Sequence, residues 1–554
     1  MILPPDRARL GRWSLDRIDE CRSSVGARAA MAKTQRLWLY TGSPDGNSAI
    51  VNMLYAHIDR LASDLFSPAD LRFYMDFTHA YPRGILAQAE VAGRALTREF
   101  ERRDIDIKFA EGVPIGLTYG ACILKLLDTS NGPMCKLVMP WQFGVHREDV
   151  TELNEQEAVC ETNLITPYAL WRRISHLPNA IELFRRARQY AKRRQGGDEA
   201  ETWFHQVLVA GTPPVVQTDP PFMIQPGGLV QVTSDPSGAQ LAPSVQEELI
   251  TFHELNVWDD EHEDYTTIQM AEPDVLIAPH YRRKNMFVPG ELPYGVIRPN
   301  SMPQYFWGRS ELADLQRLQN LLKDRMEDIK KIMSLQYDRL YAVIGGQGQV
   351  DELRDQLHLS GIIALEAGAE FKDITPEVPK EAFEDIKEIL EFINQASGYQ
   401  NILAGQGEPS VRAGTHAETL MRTAGSRLRD RALLLERECA DFAHKVFELM
   451  CAKEAKAYWT DEKGTESDFL LSQIPDDYRI MVDSHSSSPI YAQDHAQLAF
   501  ALAKLQAIGG EDLIQLLPLP RRDLLVTHLR ERQEAQAKFI QEHPELLEQH
   551  GKKK

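Results

Sequence analysis

The chain of 554 residues reads as an α+β protein that is predominantly helical. Three observations predict this. Apolar residues recur at helical spacing over long stretches, above all at 310–333, 379–397 and 415–458. Residues 202–281 alternate in character and are β-rich. Two further apolar runs, 122–128 and 135–140, flank a Ser130-Asn131-Gly132-Pro133 turn, the signature of a β-hairpin.

Residues 1–110 are expected to be mostly helical. Asn47-Ser48-Ala49 opens a periodic run through Ile50, Met53, Leu54, Ile58, Leu61 and Leu65, and a second helix ends near Asp104. A glycine-bearing helix end at 112–120 precedes the hairpin. Thr166 then caps a helix with Pro167 in its first turn. The stretch 181–194 is helical and basic and closes at Gly196-Gly197. Residues 213–243, rich in Pro, Gly and Ser, form a long surface loop. On either side of the acidic run 259–264, two segments read as antiparallel strands.

An extended Pro- and Gly-rich segment ends at Trp307-Gly308-Arg309-Ser310, and an uninterrupted amphipathic helix follows. Its apolar stripe is Leu312, Leu315, Leu318, Leu322, Met326, Ile329 and Ile332. A small β-bearing excursion comes next, with YAVIGG, a short helix at 350–357 and GIIALEAGAEFKDITP. A second helix from Pro379 presents Phe383, Ile386, Leu390 and Ile393. Gly405, Gly407 and Gly414 let the loop at 401–414 bend freely. From Thr415 to Tyr458 the pattern predicts one helix of ~65 Å at ~1.5 Å per residue, opened by a Thr415–Glu418 capping box. A strand at 478–484 and a last helical region from Ala492 complete the chain.

Lys and Arg total 62 against 81 Asp and Glu, a net charge of −19. That balance disfavours a dedicated nucleic-acid-binding module. It fits ordinary acidic solubility, and equally a conduit past which DNA must slide without strong grip. Cys21, Cys122, Cys135, Cys160, Cys439 and Cys451 form no CxxC pair and are expected to be free, buried thiols. No apolar run reaches the ~18–20 residues that span a bilayer, and MILPPDRARLGRW lacks the apolar stretch of a signal peptide. A soluble chain made inside the cell is therefore expected.

Enzyme signatures are missing: no P-loop, no GxSxG elbow and no HExxH. Neither catalytic residues, cofactor nor metal is expected. The Asp259–Asp264 run reads as a solvated turn, because adjacent carboxylates there diverge. Arg412, Arg422, Arg427, Arg429 and Arg431 form a locally basic patch in this acidic chain, beside Glu408, Glu418 and Asp430. They fit phosphate contact around a pore, or pairing with acidic residues of a neighbouring subunit.

The order of these elements resembles the portal proteins of tailed phages, ring-shaped channels through which DNA enters and leaves a viral head. The likeness covers most of the chain. It is carried by 112–128 with 135–149 (wing), Thr166-Pro167-Tyr168-Ala169-Leu170 (wing helix), Trp307-Gly308-Arg309-Ser310 with Leu318-Gln319-Asn320 (start of the stem), 414–450 (tunnel to wing) and 487–506 (leading to the crown). The resemblance implies a wing at 1–300, a first stem helix at 301–336, a clip at 337–378 and a second stem helix at 379–400. It further implies a tunnel loop at 401–414, a tunnel/wing helix and strand at 415–482, and a short crown at 483–554. In this reading Leu312, Leu315, Leu318, Leu322, Phe383, Ile386 and Leu390 pack the stem. The five arginines are candidates to face DNA, and the three loop glycines are hinges. Implied partners are further copies of the chain in a ring of about twelve, double-stranded DNA, the terminase large subunit, a head–tail adaptor, and the major capsid and scaffold proteins. The implied location is the capsid portal vertex, after assembly in the host cytoplasm. The competing expectations are another head–tail structural protein without a channel, such as an adaptor or scaffold, and a cellular enzyme with an unrecognised site.

Overall fold

The computed structural model describes residues 3–4, 6–44, 49–68, 71–129, 132–177, 179–189, 192–193, 222–225, 228–231, 248–272, 275–276, 283–284, 290–337, 341–344, 370–373, 379–397, 426–460, 466–482, 499–505 and scattered positions from 509 to 532. The chain is α+β. It divides into two compact units, the first from 1–32, 58–310 and 425–554, the second from 33–57 and 311–424.

Helices α1 (Arg7–Cys21), α2 (Val25–Thr41), α3 (Met53–Leu65), α4 (Arg83–Arg102) and α5 (Ile105–Tyr119) occupy the N-terminal part. The unit boundary falls within α2 and α3. The α3 start differs from the expectation. Asn52 caps it, its Oδ1 accepting from Leu54 N at 3.1 Å, while 47–48 lie outside the described residues. In the first unit, β1 (Phe73–Phe77) pairs with β18 (Tyr478–Val482). The expected hairpin is β2 (Cys122–Thr129) with β3 (Gly132–Val138), Thr129 facing Gly132.

A larger antiparallel sheet runs β11–β10–β9–β5–β4. Its strands are β4 (Phe143–Val145), β5 (Ala158–Ile165), β9 (Glu248–Asp259), β10 (Asp264–Ala271) and β11 (Val275–Leu276). Short β6 (Lys192–Arg193), inside the 181–194 stretch expected to be helical, joins β9, and β12 (Arg283–Lys284) joins β10. β7 (Phe222–Gln225) and β8 (Gly228–Gln231) pair with each other, a strand pair inside the 213–243 stretch that was expected to be a surface loop.

The period of two decides what covers each face of this sheet. Ala158 and Cys160 of β5 and Leu255 and Val257 of β9 point to one side and bury against Leu10 and Ile18 of α1. Val159 points to the other side, with Phe143 and Val145, into a core shared with Ile123, Val138 and Tyr294. That core belongs to a second sheet, β13 (Tyr294–Ile297)–β2–β3. Further along the same face, Ile250 and Phe252 are covered by α6 (Pro167–Ile174) and α7 (Ala180–Gln189) through Leu170, Ile174 and Ala187. Thr166 caps α6 as expected, its Oγ1 accepting from Ala169 N at 3.3 Å.

The second unit contains α8 (Leu312–Tyr337), the antiparallel pair β14 (Tyr341–Ile344) and β15 (Glu370–Asp373), and α9 (Lys380–Ser397). The short helix expected at 350–357 and the loop at 401–414 lie outside the described residues.

Helix α10 (Ser426–Ala452) returns to the first unit. Here the expectation of a helix reaching Tyr458 is corrected. The chain leaves the helix at Ala452, Glu454 takes a left-handed φ of 53°, and Lys456–Thr460 forms β16 against β17 (Glu466–Leu470). The alternation Lys456-out, Ala457-in, Tyr458-out is a strand pattern, and Tyr458 is 76% exposed. The part of the predicted helix at 415–425 lies outside the described residues. All six cysteines are free; five are buried and Cys451 is half-buried.

Candidate functional site

The second unit is built on α8 and α9. Leu312, Leu315 and Leu322 of α8 are buried, as is Ile329, whereas Leu318 is half-buried. On α9 the buried positions are Ile389 and Ile393, with Ile386 and Leu390 half-buried. Phe383 departs from its expected place in the packing stripe. It is 50% exposed, and Phe392 is 52% exposed. The helix is turned so that the Ile386–Ile389–Ile393 spacing of three and four faces inward, leaving both phenylalanines outside. Leu321 and Met333 of α8 are exposed too. Arg325 Nε and Asp385 Oδ2, 2.7 Å apart, tie the two helices together. β14 and β15 lie between them in sequence.

The start of α8 is held by Gln319, whose amide is fully buried. Its Nε2 donates to Val51 O at 2.7 Å and its Oε1 accepts from Met53 N at 3.1 Å, closing both polar groups on one stretch of backbone. Lys323 Nζ donates to Ser43 Oγ at 2.8 Å. Gly42, at φ 68°, leaves room for this clamp, since a Cβ there would stand 3.1 Å from the Gln319 amide nitrogen.

In the first unit the segment before α8 is locked. Trp307 is buried, its Nε1 donates to Glu148 Oε1 at 2.8 Å, and the Arg28 guanidinium lies 3.9 Å from its ring centroid. Arg28 also pairs with Glu148 and donates to Phe143 O at 3.0 Å. Gly308 has φ 68° and Gly120 has φ 94°, and the two backbones meet closely: a Cβ on Gly308 would lie 2.6 Å from Gly120 O. Glycine is needed at 308 for both reasons. Arg298 joins the same segment to α10, with its backbone N donating to Glu438 Oε2 at 2.8 Å. Burial raises the Glu438 carboxyl to about 7, against the opposing pull of Arg298.

A buried charge cluster was not visible in the sequence. Glu161 and Glu254 are direct cross-strand partners on β5 and β9. Lys125 of β2 lies between them, with Nζ 2.5 Å from Glu161 Oε2 and 2.6 Å from Glu254 Oε1. Tyr294 donates to Glu161 at 3.2 Å. Burial pushes the Glu161 carboxyl up, but Lys125, Asn163 and Lys136 outweigh it and hold it at about 2. The only sequence signal was an isolated lysine in the apolar run CILKLLD.

Of the candidate pore arginines, Arg412 and Arg422 lie outside the described residues, as do Gly405, Gly407 and Gly414. Arg427 falls in the first turn of α10, with its side chain outside the description; Arg429 is half-buried. Arg431 is only 7% exposed, enclosed by the chain itself. The 259–264 run forms the expected turn. Asp259 Oδ1 accepts from Glu261 N at 3.1 Å and its Oδ2 lies 2.9 Å from His262 Nδ1. The expected divergence and solvation are corrected: Asp259 and Asp264 are buried, and the side-chain ligand atoms of Asp259, Glu261 and His262 lie within 4.8 Å of one another. Among the described residues no helix is long and apolar enough to cross a membrane.

No family model and no curated protein matches the chain. The solved structures similar to the chain include two from gene transfer agent particles. One is from the virion of a native gene transfer agent particle, with 11% identity and a TM-score of 0.38, covering 88% of this chain and 93% of that one. The other is from the neck of an empty gene transfer agent particle, with 10% identity and a TM-score of 0.39, covering 84% and 90%. With both TM-scores under 0.5, the functional reading rests on this chain's own residues.

Proposed function

We propose that the chain is the repeating subunit of a portal ring, a channel at one capsid vertex through which double-stranded DNA is packaged and ejected. The observation that carries this reading is the second unit: two packed helices bracketing a small β-bearing excursion, with Phe383, Phe392, Leu321 and Met333 left on outer faces. Phe383 and Phe392 lie on opposite flanks of α9, as a head-to-tail contact with a neighbour on each side requires. In a head-to-tail ring each copy supplies a cover for the next, and a closing rotation leaves no copy uncovered. Docking of a packaging motor and later of tail components belongs to the same reading. Arg412, Arg422, Arg427 and Arg429 are the arginines offered to DNA, while the buried Arg431 serves the fold.

The test is end-on negative-stain imaging of the purified chain, with particle mass from light scattering. Closed rings with a central opening are expected. Monomers at every concentration and ionic strength would overturn the proposal. Closed particles without an opening would replace it with a head–tail component lacking a channel.

A further inference from the structure

We propose that the outer face of the α6–α7 hairpin binds the phosphate backbone of duplex DNA, independently of any channel. Between Thr166 and Gln189 the chain carries Arg172, Arg173, Arg185, Arg186 and Arg188 against a single acid, Glu182. All five are exposed; Arg186 and Arg188 have partners within the chain, so Arg172, Arg173 and Arg185 are the ones the face offers. This local excess stands in a chain of net charge −19, so it is no reflection of composition. The cations are all arginine, whose planar fork holds two phosphate oxygens at once.

The hairpin is a rigid mount. Leu170, Ile174 and Ala187 are buried with Ile250 and Phe252 of the sheet, so the opposite faces of both helices are fixed outward. The Arg173 guanidinium lies 4.3 Å from the Phe252 ring centroid, which orders it before any ligand arrives.

Duplex rather than single strand follows from the aromatics. An unpaired strand is gripped by successive exposed rings on which bases stack. Here Trp171 is packed edge-on against Phe184, with centroids 5.4 Å apart, and Tyr168 alone stands well out of the surface. Contact to a paired backbone needs only the arginines.

A covalently closed plasmid circle cannot thread a preformed ring, so its binding reports an outer surface. Binding to the full chain is measured across a salt series for wild type and for Arg172→Gln/Arg185→Gln. Wild type is expected to bind with a steep log–log salt slope, and the variant's slope to be shallower by about 2, one for each phosphate contact removed. Both side chains are exposed, so an unchanged melting temperature confirms that the variant is folded. Glu182→Gln should tighten binding. A variant slope equal to wild type overturns the proposal. So does stronger competition by a circular single strand than by the duplex. No binding at low salt also overturns it and leaves the face to a protein partner.

Discussion

At the scale of single residues, Lys125 of β2 ties the β13–β2–β3 sheet to Glu161 and Glu254 of the larger sheet. Directly opposed carboxylates on neighbouring strands repel, and Glu161 and Glu254 are tolerated because one ammonium reaches both. Removing one member of a buried ion cluster leaves uncompensated charge and costs about 3–5 kcal/mol. Lys125→Met should therefore lower the urea midpoint sharply, and adding Glu161→Gln should recover part of the loss. The pH dependence gives the sign. In the wild type, Glu161 contributes stability above its unfolded value of 4.5 that is lost as pH falls toward about 2. In Lys125→Met only Lys136 remains beside Glu161, so the loss of stability toward acid should be smaller than in the wild type. Glu438 works the other way in the native chain. Between pH 4.5 and about 7 the folded state keeps a proton that the unfolded state has released, so stability falls as pH rises across that window. Glu438→Gln should flatten this slope, read from melting temperatures at pH 5 and pH 8 (about 1.4 kcal/mol per unit of pKa difference).

At the scale of elements, α9 buries Ile389 and Ile393 and leaves Phe383 and Phe392 exposed on its two flanks, which on the ring proposal join copies. Ile389→Ala opens a cavity inside the chain and should cost about 2–5 kcal/mol. Phe383→Ser/Phe392→Ser changes exposed positions and should leave the melting temperature of the isolated chain nearly unchanged while shifting particle mass toward monomer. Equal loss of stability in both variants would refute the division of faces. The same helices show what the sequence discloses. Periodicity found α8, α9 and α10 because each buries one stripe, with Leu428, Leu435, Cys439, Phe442 and Val446 of α10 all buried. It gave the β2–β3 and β9–β10 hairpins, whose turns carry their own local chemistry. It misplaced the rotation of α9, since Phe383 and Ile386 are equally apolar and only the neighbouring α8 distinguishes them. The end of α10 was missed because Tyr458 and Trp459 continue an apolar pattern that fits helix or strand over a few residues. The charge cluster was out of reach altogether: Lys125 meets partners 36 and 129 residues away. Arg412 of the loop and Arg422 beyond it could be named from composition, and both lie outside the described residues.

At the scale of the whole molecule, the net charge of −19 sets a condition on any channel reading. A surface that binds DNA with many fixed cations holds it fast, because each phosphate neutralised releases counterions and deepens the bound state. A conduit needs the reverse, a few exchangeable contacts in an otherwise repelling surround. Arg412, beside Gly414 in the 401–414 stretch, would meet that condition on the ring proposal. On the ring proposal, Arg412→Gln/Arg422→Gln should form rings of unchanged mass, since neither residue belongs to the α8–α9 faces that would join copies. Particles assembled with this variant should package or retain less DNA, measured as nuclease-protected genome per particle. Unchanged DNA content with intact rings would remove these arginines from the pore while leaving the ring itself standing. Lost rings would instead make them bridges to an acidic neighbour, the other role open to them in the sequence.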